Sequence, residues 1–291
     1  MQNKKYKIGI CGTGMVGGAI KKYFENKQDY EVFSYDKGKN EGSMEEVNKA
    51  DYIYICVPTP FDKKNGCDTS IVRGVVNQIK DGKVVIIKST VIPGTTEAIQ
   101  SQRPELKMMF NPEFLTEITA DQDMNYPDRQ IIGYTKESYK HTKDVIQQLP
   151  LAPFERIMPA SEAEMVKYFG NVWFSTKVIF ANQIYDICEK AGIDYDTVMA
   201  GAAADKRIGR THLKVMHRGY RGYGNMKVSK CLPKDTKALI KLANRLGVNV
   251  DGIKATDKMN DELWEKYGNE NNVVVDKDTE FTSGCDVLQK K

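Results

Sequence analysis

Short apolar runs alternate with amphipathic stretches through the first half of the chain, and helical periodicity takes over in the second. Tyr6-Lys7-Ile8-Gly9-Ile10-Cys11 opens as a short strand, and a helical stretch follows through Phe24. Glu31-Val32-Phe33-Ser34-Tyr35 is a second strand. Asp51-Tyr52-Ile53-Tyr54-Ile55-Cys56-Val57 is apolar almost throughout, as expected of a strand covered on both faces. Pro58-Thr59-Pro60 ends it, and Asp68-Thr69-Ser70 brings the cap chemistry of a helix start. Val84-Val85-Ile86-Ile87, Lys107-Met108-Met109-Phe110 and residues 129–134 are further strands. A helix is expected over 137–148 and a last short strand over 154–158. This alternation predicts an α/β fold, with a Rossmann-like, doubly wound sheet over residues 1–159.

From Ser161 the pattern is helical. Ser161-Glu162-Ala163-Glu164 has the form of a capping box. The helix should run to about Ala191, with Val166, Phe169, Val172, Trp173, Val178, Ile179 and Ile184 apolar, and Gly192 should end it. Lys167 and Asn171 stand four apart on it and share a face. A second helix covers 195–204. Residues 205–230 read as one long loop rich in Gly, Arg, Lys and Tyr, and loops of that length are usually functional or disordered. An apolar-periodic helix follows Cys231, and another spans 253–267, with Ala255, Met259, Leu263 and Tyr267 at a spacing of four. Residues 160–267 thus form a helical second domain. Residues 268–291, polar apart from Val273-Val274-Val275, form a loose tail. The long helix and the 253–267 helix carry more apolar surface than a small domain covers, which predicts a homodimer packed through them.

Composition narrows the partners. The 43 basic and 39 acidic residues leave a net charge of +4 in 291 residues, too balanced to argue for nucleic acid, although a local basic site for an anion fits. No apolar run has membrane-spanning length, and the N-terminus has no signal-peptide core. The six cysteines form no CxxC pair and the three histidines no metal-binding spacing, so no metal is expected. The chain reads as cytoplasmic, with reduced thiols.

Three places carry candidate chemistry. Gly12-Thr13-Gly14-Met15-Val16-Gly17 is a GxGxxG turn between strand and helix. Its glycines bring a dinucleotide pyrophosphate to the helix N-terminus, and Asp36, at the end of the second strand, suits the adenosine ribose. NAD is thereby favoured over NADP, with Lys37 and Lys39 nearby softening that choice. Thr90, Glu113 and Glu117 follow the carboxyl ends of strands, where open sheets bind ligands. The third place is Lys230-Cys231-Leu232-Pro233-Lys234-Asp235-Thr236. Proline favours the first turn of a helix, so Cys231 sits at a helix N-terminus, where a thiolate is favoured. Asp235, one turn on, is a candidate base beside a candidate nucleophile. Taken alone, the heptapeptide also reads as a buried thiol before an ordinary helix. Arg207, Arg210, Arg218 and Arg221 in the long loop suit a phosphate or carboxylate, or simply a solvated basic loop.

Ordered along residues 6–246, these motifs resemble the nucleotide-sugar 6-dehydrogenases, the UDP-glucose dehydrogenase family. The likeness lies in the glycine turn, Pro58-Thr59-Pro60, Lys88-Ser89-Thr90 with Pro93-Gly94, Asn111-Pro112-Glu113-Phe114-Leu115-Thr116-Glu117, Pro127-Asp128-Arg129, Glu164-Met165-Val166-Lys167 with Asn171, Arg207-Ile208-Gly209, Gly222-Tyr223-Gly224 and Cys231-Leu232-Pro233-Lys234-Asp235. The resemblance implies a helical domain like that of 6-phosphogluconate dehydrogenase, and oxidation of a sugar 6-hydroxyl to a carboxylate with two NAD⁺, most simply UDP-glucose to UDP-glucuronate. It implies that Cys231 carries the thiohemiacetal and thioester. Asp235 and a water on Thr90 would serve proton abstraction, Lys167 and Asn171 oxyanion stabilisation, and Glu113 and Glu117 thioester hydrolysis and its water. For NAD it implies Gly12, Gly14, Met15, Val16, Gly17, Asp36, Pro58, Thr59, Thr90 and Glu117. For the substrate it implies Phe114, Leu115, Lys167, Asn171, Tyr223, Gly224 and Arg207, the last reaching across a dimer interface.

The chain departs from the family in two ways. Residues 225–230 separate Gly224 from Cys231, where the family loop reads roughly Gly-Tyr-Gly-Gly-x-Cys. The second Rossmann-like unit that holds much of the UDP in the family is not expected here, which makes this a short form in which the 207–230 loop and the partner subunit would hold the nucleotide. Two other readings stand beside this one: a two-electron 3-hydroxyacid-type dehydrogenase of the same superfamily, and a non-catalytic NAD-binding remnant.

Overall fold

A computed structural model describes residues 6–217, 219–229 and 231–268. The chain divides into two compact units, residues 1–170 and 171–291. The division falls inside the long helix, whereas the sequence pattern places a boundary at its start.

In the first unit, strands and helices alternate as β1 (Tyr6–Cys11), α1 (Met15–Glu25), β2 (Tyr30–Asp36), β3 (Glu41–Gly42), α2 (Met44–Val47), β4 (Tyr52–Ile55), α3 (Ser70–Val76), β5 (Val84–Ile87), α4 (Thr95–Gln102), β6 (Lys107–Phe110), α5 (Ala120–Asn125), β7 (Arg129–Tyr134), α6 (Thr142–Gln148) and β8 (Phe154–Pro159). They build one eight-stranded sheet in the order β3-β2-β1-β4-β5-β6-β7-β8. The strands from β2 to β6 are parallel; β3 runs antiparallel to β2, and β7 antiparallel to β6. Side chains alternate between two cores, as the period of two requires. Ile53, Ile55, Val85, Ile87, Met108 and Phe110 pack with α3 and α4 on one face. Tyr54, Val84, Ile86 and Met109 pack with Ile20, Tyr23 and Phe24 of α1 on the other. Order and double covering make this the Rossmann-like sheet that the alternation predicts.

Several short elements escape the sequence pattern: β3, α2, α4 and α5. The expected 137–148 helix is shorter, because Ser138 Oγ accepts the Thr135 N–H at 2.9 Å and closes a turn first. A 3₁₀ turn over Tyr139–His141 then leads into α6.

The long helix, α7 (Ala160–Ala191), follows β8 directly. Ser161 therefore lies inside the helix, and the expected capping box does not form. In the second unit α8 (Tyr195–Ala203) packs on α7 through Ala181, Cys188 and Tyr195. The expected unbroken loop contains a small hairpin, β9 (Met216–His217) with β10 (Tyr220–Arg221). Next come α9 (Leu232–Arg245) and α10 (Asp251–Tyr267), joined to α7 around Val178, Ile179, Tyr223 and Leu232. Arg218, Lys230 and the 269–291 tail lie outside the described residues. No helix among those described is long and apolar enough to cross a membrane.

Candidate active site

The glycine turn joins β1 to α1 and is shaped by close approach. Gly12 has φ +86°, and a Cβ there would stand 2.6 Å from the Cys56 carbonyl oxygen. A Cβ on Gly17 would stand 1.8 Å from the Gly12 oxygen. Gly14 differs: a Cβ there would meet nothing within 4 Å. It caps α1 with no side-chain hydrogen bond, and Met15 beside it is exposed. The start of α1 is thus open at Gly14 and Met15, which leaves room for a pyrophosphate at the helix N-terminus. Val16 is half-buried against the core.

Asp36 lies beside this turn. One of its oxygens accepts the Thr13 N–H at 2.8 Å, and the other accepts the N–H groups of Gly38 and Lys39 at 2.9 and 3.1 Å. The Thr13 bond foremost holds its carboxyl below the usual carboxylate range. Glu41 is a second acid here, which the sequence did not single out. It pairs with Asp36 across β2 and β3 and accepts from Thr13 Oγ1 at 2.7 Å. Its other oxygen takes Lys21 Nζ and Ser34 Oγ at 2.7 and 2.6 Å. Lys39, read as softening the cofactor choice, donates to the Thr13 carbonyl at 2.5 Å. After β4, Pro58 is exposed, while buried Thr59 donates to the Thr90 carbonyl at 2.7 Å.

The strand-end polar residues of β5 and β6 form a charged cluster. Lys167, in the α7 segment of the first unit, donates to the Glu113 carbonyl oxygen at 2.6 Å and to its carboxylate at 3.1 Å. Each side chain is only 9% exposed. A buried pair of this kind is weak evidence for stability, because desolvation offsets the attraction; it is better evidence for a site. Leu115 N–H donates to the same carboxylate, and the Phe114 ring lies under the Arg129 guanidinium, 3.8 Å away. Lys88, quoted in its motif but given no role, is buried at the end of β5 and donates to Asn111 Oδ1 at 2.6 Å. Burial pulls its ammonium down to about 8. A lone lysine closing an apolar strand was the signal for it. Thr90 is half-buried, and Glu117 is exposed in the turn before α5.

In the second unit Cys231 is the N-cap of α9, exposed, with Pro233 in the first turn. Asp235 is 1% exposed. Its carboxylate accepts from Asn171 Nδ2 at 2.5 Å and from Lys234 Nζ. Asn171 and Asp235 are therefore brought together, and the buried carboxylate is held by the amide and the ammonium.

Tyr223 is fully buried, with its hydroxyl on Asp257 at 3.2 Å. Gly224 is also buried, and its carbonyl accepts from Asn260. Arg221 is no free anion-binding cation: it bonds Asn182 and Asp186 and lies over Tyr185 and Tyr267. Arg207 is turned outward, 90% exposed, with its guanidinium on Asp205.

Among the described residues no cluster of His, Cys, Asp and Glu suits a metal ion. Residues 34–149 match the NAD binding domain of the UDP-glucose/GDP-mannose dehydrogenase family, and residues 161–262 match its central domain. UDP-glucose 6-dehydrogenase YwqF of Bacillus subtilis is 33% identical over 258 residues, which are 84% of this chain and 52% of that protein. The UDP-glucose 6-dehydrogenase of Campylobacter jejuni is 36% identical over 226 residues, 75% of this chain and 54% of that one. A UDP-glucose dehydrogenase structure from the archaeon Pyrobaculum islandicum superposes with a TM-score of 0.77 at 27% identity, covering 90% of this chain and 69% of that one. The chain spans about half the length of the curated relatives it matches. With both domains matched in order and the glycine turn built for a dinucleotide, the chain belongs to the UDP-glucose/GDP-mannose dehydrogenase family.

Proposed function

We propose that the chain is an NAD-dependent nucleotide-sugar 6-dehydrogenase that oxidises the 6-hydroxyl to a carboxylate, with UDP-glucose as the first substrate to try. The observation that carries this reading is Cys231, exposed at the N-cap of α9 one turn before a buried carboxylate held by Asn171. When bound, NAD⁺ would supply the hydride acceptor, one for the alcohol-to-aldehyde step and a second for the thiohemiacetal-to-thioester step. The turn Gly12–Gly17 and Asp36 hold the cofactor. Asp235 takes the hydroxyl proton through a water on Thr90, and Asn171 and Lys167 donate to the oxygen that becomes negative. The Cys231 thiolate adds to the aldehyde carbon to give a thiohemiacetal, whose oxidation leaves a thioester. Water, assisted by Glu113, cleaves the C–S bond and returns the thiol and the carboxylate. Glu117 orients that water, and Arg207, turned outward, reaches the sugar of a partner subunit in a homodimer. A reducing, cytoplasmic setting suits thiols such as Cys11, Cys56, Cys67, Cys188 and Cys231, which form no disulfide.

Turnover on a panel of nucleotide sugars should yield two NADH per sugar; a yield of one would place the chain among two-electron dehydrogenases. Cys231→Ser should lower turnover by several orders of magnitude with NAD affinity near wild type. A serine variant that still makes two NADH at the wild-type rate removes Cys231 from the mechanism.

A further inference from the structure

Ahead of Cys231, past a β-bridge between Met216 and Gly222, the chain leaves regular structure, and α10 supplies hydrogen bonds to it. Asn260, 1% exposed, accepts the Tyr223 N–H at Oδ1 and donates from Nδ2 to the Gly224 carbonyl, each at 2.8 Å. One amide thus does for two successive loop residues what a neighbouring strand would do. The backbone is moulded to it: Gly222 has φ +75°, and a Cβ there would stand 2.7 Å from Asn260 Oδ1. One turn earlier on α10, Asp257 accepts from the Tyr223 hydroxyl at 3.2 Å and from Lys237 of α9 at 2.7 Å. Residues 225–229 then fold back on themselves, with the Asn225 carbonyl accepting from Val228 and Ser229 at 3.2 and 2.8 Å. Cys231 follows at the head of α9. Helix α10 therefore grips the chain on both sides of the cysteine: Asn260 before it, Asp257 through Lys237 after it.

We infer that Asn260 is the positioning residue of the cysteine-bearing segment, its amide setting the 222–224 backbone from which Cys231 is presented. This rests on the reading of Cys231 as the nucleophile. Burial of an apolar side chain is not what the position requires, since both polar ends of the amide are spent on loop backbone. A displacement of about 1 Å in a reacting group costs on the order of a hundredfold in rate, so a residue that fixes this loop acts on the reaction without touching the substrate.

Asn260→Asp separates this role from a merely structural one. The ionised carboxylate repels the Gly224 oxygen, which drives the side chain off the loop and opens the bond from the Tyr223 N–H as well, and protonation restores a donor. Burial raises such a carboxyl, which brings its titration into a workable range. Relative to wild type at each pH, amide exchange at Tyr223 should be faster by about tenfold or more at high pH and return toward wild type on acidification. Sugar turnover should fall and recover over the same pH range, with the Kd for NAD unchanged. Recovery at low pH serves as the control for folding. Asn260→Ala should lose protection and turnover at every pH, with no recovery. Wild-type protection in Asn260→Asp at all pH, or lost protection with wild-type turnover, overturns the inference. Should the wild-type protein oxidise no nucleotide sugar, the proposed function falls, and Asn260 is then judged by Tyr223 exchange and Cys231 alkylation with iodoacetamide. A variant-to-wild-type alkylation ratio that stays at one across pH overturns the positioning role.

Discussion

At the scale of single residues, two carboxylates flank Thr13 where one was expected. Asp36 is held anionic by three backbone N–H groups, and an anion beside the adenosine ribose repels a 2′-phosphate. Asp36→Ala should lower the NAD-over-NADP ratio of kcat/KM by about tenfold, the worth of about one charged hydrogen bond; an unchanged ratio removes Asp36 from cofactor choice. Glu41 acts through Thr13. Lys21 foremost, then Ser34 and Thr13, bring its carboxyl down to about 2. Its folded pKa is depressed, so its stabilisation is present above the ordinary value of 4.5 and is lost as pH falls toward 2. Glu41→Gln should weaken NAD binding several-fold, read by NAD fluorescence titration, and flatten that acid limb of stability. Asp36 was legible because strand, glycine turn and acid stand at a fixed spacing. Glu41 was not, because its place depends on β3, a strand of two residues that pairs only in the folded sheet.

At the scale of elements, Glu164 shows what a correct motif in the wrong place does. The expected reciprocal cap at the start of α7 is replaced by a cap on another helix. Glu164 accepts the N–H groups of Gly94 and Thr96 at 2.6 and 2.8 Å and the Thr96 hydroxyl at 2.6 Å, and so closes the N-terminus of α4. Burial outweighs these bonds and raises its carboxyl to about 7. A carboxyl raised on folding stabilises most below its unfolded pKa of 4.5, and that contribution is lost as pH rises through 7. Urea unfolding should therefore show a loss of stability between pH 4.5 and 7 that Glu164→Gln abolishes; an unchanged slope would mean that another group titrates. Glu164→Ala leaves buried donors at Gly94 and Thr96 unpaired and should cost about 1–3 kcal/mol in addition.

At the scale of the molecule, α7 carries a row of exposed large side chains: Phe169 at 73%, Trp173 at 53%, Phe180 at 57% and Ile187 at 60%. Spacings of four and seven keep such residues on one side of a helix, and apolar surface of that extent is seldom left to water. Light scattering at micromolar concentration should give a dimer, and Phe180→Glu should shift it toward monomer. A monomeric wild-type chain would sink the homodimer and, with it, the role given to Arg207 across an interface.

The sequence by itself determined the longer helices, the apolar strands and their two-faced burial, the glycine turn with Asp36, and the helix capped by Cys231. All of these rest on local periods and turn chemistry, which a few consecutive residues carry. Only the tertiary structure decided which polar groups meet. It buried Tyr223 and set Arg221 on Asn182 and Asp186, where the loop's basic composition had offered the arginine to an anion. It paired Glu113 with Lys167 and Asp235 with Asn171, sent Glu164 to α4, and set Asn260 on the loop before the cysteine. Each of these joins residues far apart in the chain, and the desolvation that makes such pairing compulsory arises only once the core has closed around them.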